Sequence, residues 1–246
     1  SGKRVLVTGG TSGMGEASAL EFARAGARVV ISGRDQGRGE AIAGRGDGRI
    51  EFIPADVTER AQCDALVANA VERLGGLDIL VNSAGIIYHA IAEETTDQQW
   101  LDTMNVNVNG MFYLCRAAIP HLRTSRGTII NIASDAALTG SYHLVAYCAS
   151  KGAVLQMTRA MALDYAGDGV RIVPICPGDV DTPMLRGEFR DRGLELEAGL
   201  QESAEGVPLK RVCSAQEVAD MVLYACSDSA QFITGYPLVI DGGGRA

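Results

Sequence analysis

The chain has 246 residues, 47% hydrophobic and 5% aromatic, with a net charge of −8. That length suits one large α/β domain with a sizeable core, and an acidic chain without a basic run offers nucleic acid no footprint. No run of 18 apolar residues suggests a membrane span, and six scattered cysteines with no C-x-x-C pair point to a reduced, cytoplasmic protein rather than to disulfides or a metal site.

The first strand is read at Arg4 to Thr8, so early that no room is left for a signal peptide. It runs directly into Gly9-Gly10-Thr11-Ser12-Gly13-Met14-Gly15, and a helical pattern follows from Glu16 to Ala25. A glycine-rich turn between a strand and a helix N-terminus suits a pyrophosphate, because the backbone approaches closely and free N–H groups face the anion. The spacing Gly9-x-x-x-Gly13-x-Gly15 departs from G-x-G-x-x-G.

Ala27 to Ser32 is the second strand. Where many dinucleotide-binding sheets carry an acid for the ribose hydroxyls, this chain has Gly33 and then Arg34, which favours a 2′-phosphate and therefore NADP(H), with NAD(H) possible. Asp35, next in the chain, pulls the other way. The glycine-rich stretch to Gly48 predicts a short helix at most. Further strands are expected at Ile50 to Pro54, Leu77 to Val81, Gly127 to Ala133, Val170 to Ile175 and Tyr236 to Ile240, with helices at Glu59 to Leu74, Trp100 to Leu122, Val145 to Ala166 and Ala215 to Cys226. Asn105, Asn107 and Asn109 interrupt the long helical pattern, and Asn is a poor helix former, so local side-chain bonding or a functional kink is expected there. Asp181 to Lys210 shows no strong period and reads as an irregular lid, at about residues 182–210.

Strict alternation predicts a doubly wound parallel seven-stranded sheet with helices on both faces, forming one domain over residues 1–246. Ligands bind such sheets at the C-terminal strand ends. The glycine turn, Asp56, Asn82, Ser134 and Pro177 all fall there. So does the chemistry. Tyr147 and Lys151 lie one turn apart on one helix face. A Tyr has a pKa of about 10, and a nearby ammonium is expected to lower it toward the range where acid–base catalysis works.

Taken together, Thr8-Gly9-x-x-x-Gly13-x-Gly15, Asp56-Val57, Asn82-Ser83-Ala84-Gly85, Asn107, Ser134, Tyr147-x-x-x-Lys151 and Pro177-Gly178-x-x-x-Thr182 resemble the short-chain dehydrogenase/reductase family over nearly the whole chain. Ser83 stands where that family commonly has a second Asn. The resemblance implies a Rossmann-type fold and a nicotinamide dinucleotide held by Gly9, Thr11, Ser12, Gly13, Met14, Arg34, Asp56, Val57, Asn82, Ala84, Gly85, Tyr147, Lys151, Pro177, Gly178, Val180 and Thr182. It implies Ser134 as the holder of the substrate oxygen, Tyr147 as general acid/base, Lys151 as its modulator, and Asn107 as the anchor of a water that connects Lys151 to solvent.

The substrate pocket is expected at Tyr88, His89, Tyr142, His143 and Met184, and the lid arginines Arg186, Arg190 and Arg192 are expected to be mostly solvated. Asp168-Gly169 stands where a carrier-protein-linked 3-oxoacyl reductase tends to be basic, although Arg123 and Arg126 could serve in part. A small secondary alcohol or ketone therefore ranks first as substrate, the acyl reductase second, and a non-catalytic dinucleotide sensor a distant third. The resemblance also implies a homotetramer or homodimer, with Phe112, Leu114 and Met161 as either interface or core.

Overall fold

The computed structural model describes residues 2–245. Among these residues nine strands form, β1 (Arg4–Thr8), β2 (Arg28–Gly33), β3 (Ile50–Pro54), β4 (Ile79–Asn82), β5 (Thr128–Ile132), β6 (Arg171–Pro177), β7 (Val180–Asp181), β8 (Cys213–Ser214) and β9 (Leu238–Ile240). Seven of them make one all-parallel sheet in the order β3-β2-β1-β4-β5-β6-β9. The α-helices are α1 (Gly13–Arg24), α2 (Gln36–Gly44), α3 (Arg60–Leu74), α4 (Asp97–Met104), α5 (Met111–Ser125), α6 (Val145–Tyr165), α7 (Pro183–Asp191), α8 (Leu196–Glu205) and α9 (Ala215–Ala225).

Period-two alternation divides the core between the two faces. Leu6, Leu80, Ile129 and Ile172 point to the side covered by α3, α5 and α6. Val5, Val7, Ile79, Val81, Ile130 and Val173 point to the side covered by α1, α2 and α9. Because both faces are covered, the strands read as unbroken apolar runs. Leu114 is fully buried and belongs to the core, and Met161 packs against that core. The strand order reverses between β1 and β4, which opens a crevice above those two strand ends.

Two stretches differ from the sequence reading. Residues 183–205 are not irregular but form α7 and α8, and the β7–β8 pair clasps the chain on either side of them. The period is hidden because α8 is built around a glycine. A Cβ on Gly199 would stand 2.4 Å from the buried Phe189 ring of α7, so the helix–helix contact needs a bare backbone there. The second difference is in the long helix, which changes to a π-turn over Asn105–Gly110 between α4 and α5. Single π-turns inside helices often mark functional sites. Asn109 Nδ2 donates to Asn105 Oδ1 at 2.8 Å across this turn, while Asn107 is left to bond elsewhere.

Candidate active site

The crevice begins at the β1–α1 turn. Gly9 has φ +67°, and a Cβ there would stand 2.6 Å from the Ala84 nitrogen, so only glycine lets the turn lie against the loop after β4. Ser12 stands at the N-cap of α1 but makes no capping bond with its side chain. The first N–H groups of α1 are therefore free to meet an anion. Above the turn lies a cavity of about 480 Å³, lined by Gly9, Thr11, Ser12, Gly13 and Met14, by Arg34, Asp56 and Val57, and by Ala84, Gly85, Thr182 and Met184. Gly33, Asp35, Ser83 and Ile86 also line it, as do Arg38, Ala55, Val106 and Pro183, to which the sequence reading gave no role.

Arg38 changes the electrostatics at one end. Asp35 caps α2, with Oδ1 accepting from the Arg38 nitrogen at 2.9 Å and Oδ2 from Arg38 Nε at 2.9 Å. These bonds hold the Asp35 carboxyl below its ordinary range. Both of its oxygens are thus engaged, and Arg34 and Arg38 line the cavity with two carboxylates that are already hydrogen-bonded, Asp35 to Arg38 and Asp56 to Thr58. Only the spacing of Asp35 and Arg38, three residues apart at a helix start, hinted at this in the sequence.

At the other end, Gly85 lies where a Cβ would be 3.7 Å from Lys151 Nζ and 3.4 Å from Asn107 Oδ1. Asn107 grips the Ile86 backbone from both sides, accepting from its nitrogen at 2.9 Å and donating to its carbonyl at 3.0 Å, and donates to Ser150 Oγ at 3.0 Å. The π-turn is what turns this side chain toward α6. Lys151 is buried, sits 5.5 Å from the centre of the Tyr147 ring and donates to the Ile132 carbonyl at 2.8 Å.

Ser134 is buried two residues past β5. Its hydroxyl accepts from the Ala136 nitrogen at 3.1 Å and donates to Asp135 Oδ1 at 3.1 Å, and lies close enough to the Tyr147 phenol to favour its phenolate.

The pKa shifts run against the sequence expectation for Tyr147. Burial raises the phenol well above its ordinary 10, opposed by the Ser134 bond and reinforced by the charges of Glu188 and Asp135. Burial also lowers the Lys151 ammonium, to about 8. The Tyr147 shift is upward because burial disfavours the charged phenolate, while the Lys151 ammonium is turned toward a backbone carbonyl. At pH 7, one unit below its own pKa, Lys151 remains charged in a ratio of roughly ten to one.

The remaining residues named from the sequence are dispersed. Asn82 is buried beneath the crevice, donating to Asn131 Oδ1 at 2.8 Å and to Cys115 Sγ at 3.3 Å, while its own Oδ1 has no partner. Pro177 and Val180 are buried and Gly178 packs against Asp241. Tyr88 is partly exposed, and Tyr142 is 93% exposed. His89 pairs with Glu188 of α7. His143 is exposed, with φ +58°, and its carbonyl accepts from the Ala90 nitrogen at 2.7 Å, joining the two Tyr-His stretches. Arg186 and Arg192 are exposed and pair with Asp181 and Glu202. Among the described residues no cluster could hold a metal ion, and no helix is long and apolar enough to cross a membrane.

A family model described as enoyl-(acyl carrier protein) reductase matches residues 9–244. L-fucose dehydrogenase of Mus musculus is 40% identical over 246 residues, covering 99% of this chain and 88% of that protein. Meso-2,3-butanediol dehydrogenase of Serratia marcescens is 36% identical over 248 residues, covering 99% and 95%. A solved structure of an actinorhodin polyketide ketoreductase variant with NADPH superposes with a TM-score of 0.94 at 31% identity, covering 100% of this chain and 98% of that one. With the fold, the crevice and near-complete coverage in agreement, the chain belongs to the short-chain dehydrogenase/reductase family of oxidoreductases.

Proposed function

We propose that the chain moves a hydride between a nicotinamide dinucleotide, NADP(H) by preference, and a small secondary alcohol or ketone, with Tyr147 as general acid/base. The observation that carries this reading is a crevice with a phosphate-binding turn and two arginines, whose Gly85 wall lies against Lys151, with Tyr147 and Ser134 next to that lysine. When bound, the reduced dinucleotide supplies hydride to the carbonyl carbon. The free N–H groups of α1 hold its pyrophosphate, Arg34 and Arg38 its 2′-phosphate, and Lys151 its nicotinamide ribose. Ser134 binds the substrate oxygen, and Tyr147 gives that oxygen a proton on reduction and takes one on oxidation. Asn107, fixed to Ile86 and Ser150, orders the proton path behind Lys151. Helices α7 and α8 form the lid, and His89 and Glu188 tie it to the loop after β4.

The substrate class draws support from relatives named for L-fucose and meso-2,3-butanediol. The carrier-linked acyl reductase ranks second because Arg123, one of its docking candidates, is paired with Asp168 at 2.6 Å and stacked on Tyr165. A panel of small secondary alcohols, sugars, hydroxy acids, ketones and one 3-oxoacyl thioester, each with both cofactors, tests the reading. Turnover of a small alcohol or ketone is expected, and turnover of the thioester alone would overturn it in favour of the second. Self-association is supported by exposed Phe112 on α5 and Leu163 on α6. Light scattering is expected to give a dimer or tetramer.

Arg34→Ala is expected to raise the KM for NADPH by about ten- to a hundredfold, the worth of a hydrogen bond to a charged group, and to leave that for NADH nearly unchanged. Arg38→Ala should do the same and at least as strongly, because it also releases the Asp35 carboxylate to repel the 2′-phosphate. Equal effects on both cofactors in steady-state kinetics would remove the arginines from the 2′-phosphate site.

A further inference from the structure

Past β9 the chain does not trail away but folds back as a strap. Asp241 collects it, its Oδ1 accepting from the Gly243 nitrogen at 2.9 Å and its Oδ2 from the Arg245 nitrogen at 2.8 Å. The strap is tightly fitted. Gly242 has φ +63° and a Cβ there would meet Val207 at 2.5 Å, and the Gly242 carbonyl accepts from the Leu209 nitrogen at 3.3 Å. These contacts deliver the Arg245 side chain to the loop after β5, where Nε donates to Asp135 Oδ2 at 3.0 Å and a terminal nitrogen to Ser141 Oγ at 3.3 Å.

Asp135 thus holds Arg245 with one carboxylate oxygen and the Ser134 hydroxyl with the other. A serine hydroxyl has one proton and two lone pairs. The Ser134 proton goes to Asp135, one lone pair accepts from the Ala136 nitrogen, and the hydroxyl lies beside the Tyr147 phenol. Ser134 can donate to a substrate oxygen only by withdrawing that proton from Asp135. A lone carboxylate is a strong acceptor, and one shared with a guanidinium is a weaker one.

We propose that Arg245 is a positioning residue that acts through Asp135, weakening the carboxylate's hold on the Ser134 proton so that Ser134 can turn it to the substrate oxygen. This rests on the reading of Ser134 as the holder of that oxygen.

The charge of Asp135 also reaches Tyr147. The charged and titratable groups facing that phenol are Lys151 and Cys148 on its own helix, Glu188 on α7 and Asp135 past β5. Asp135 raises the Tyr147 pKa, so loss of its cationic partner should raise it further, and loss of the carboxylate should lower it.

The test uses the full chain with the best small substrate of the panel, and compares Arg245→Ala, Arg245→Lys, Asp135→Asn and Ser134→Ala. Arg245→Ala is expected to lower kcat for ketone reduction about tenfold, short of the hundredfold that a 1 Å misplacement costs, with the cofactor KM unchanged. In alcohol oxidation, which needs the phenolate, its acid limb should move up by about half a pH unit. Arg245→Lys should restore both, Asp135→Asn should move the limb down, and adding Arg245→Ala to Asp135→Asn should change nothing further.

A loss of rate with an unmoved limb, or a loss that persists in the Asp135→Asn background, would show a merely structural strap and overturn the proposal. So would an Arg245→Ala enzyme that matches the parent. Ser134→Ala separates the two levels: an inactive Ser134→Ala beside a normal Arg245→Ala defeats this inference alone, whereas an active Ser134→Ala defeats the reading beneath it.

Discussion

Tyr147→Phe is expected to abolish turnover in both directions while leaving dinucleotide affinity nearly intact. Positioned acid–base catalysis is worth about 10² to 10⁴ in rate, and Tyr147 is the acid that lies beside both Ser134 and Lys151 among the described residues. Phe keeps the ring that packs near Lys151 and removes only the oxygen. Burial favours that removal, since the half-buried phenol is held in its neutral form. The variant should therefore fold at least as well as the parent.

The direction of the Tyr147 shift gives a second readout. With its pKa raised, the oxidation rate should keep climbing with pH well above neutrality, because the phenolate is scarce. Reduction, which uses the protonated phenol, should be flat across the same range. The dinucleotide's charges and the displacement of water on binding alter these positions but not the order of the two directions. Tyr147→Phe turnover within tenfold of the parent would exclude the phenol as the proton donor. An oxidation rate that falls as pH rises from 7 to 9 would exclude the phenolate as the base.

The sheet was legible because each of its seven strands is a short apolar run that stops at a turn residue or a polar group, as at Thr8-Gly9 and Asn82-Ser83. That ending also brought the motifs to one edge, so the crevice could be read before any contact was known. What stayed hidden depended on partners remote in sequence. Gly199 weakens the period of α8, and only the ring of Phe189 shows why a glycine is there. The three Asn residues signalled a kink, yet its form as a π-turn rests on Asn107 finding Ile86 and Ser150, 21 and 43 residues away. Asp35 looked like an argument against a 2′-phosphate until its two oxygens were found on Arg38. The sign of the Tyr147 shift was missed because a helical spacing of four shows the ammonium but not the burial around the phenol.

Lys151→Met should lose turnover and gain stability, and the two effects have one cause. The side chain is 5% exposed and its ammonium is lowered from 10.5 to about 8. A gap of that size corresponds to about 3 kcal/mol of unfavourable burial of the charge at neutral pH. Met fills similar space without the charge, at the loss of one hydrogen bond to the Ile132 carbonyl, worth about 1 kcal/mol. The net gain at pH 7 is expected to be about 1 kcal/mol or more, a rise of about 2–4 °C in Tm for a chain of this size.

The pH dependence identifies the source. Between about 8 and 10.5 the folded protein holds fewer protons at this site than the unfolded chain does, so this group makes parent stability rise with pH across that window. Lys151→Met lacks that rise, and its advantage should be full below pH 8 and shrink toward pH 10.5. Turnover should fall by about a hundredfold or more, because Tyr147 loses the cation beside it. Thermal unfolding of both proteins at pH 7 and pH 10 checks the argument. A Lys151→Met protein less stable than the parent at pH 7 would mean that the Ile132 bond outweighs the buried charge. An equal difference at the two pH values would mean that Lys151 titrates no lower in the fold than in the open chain.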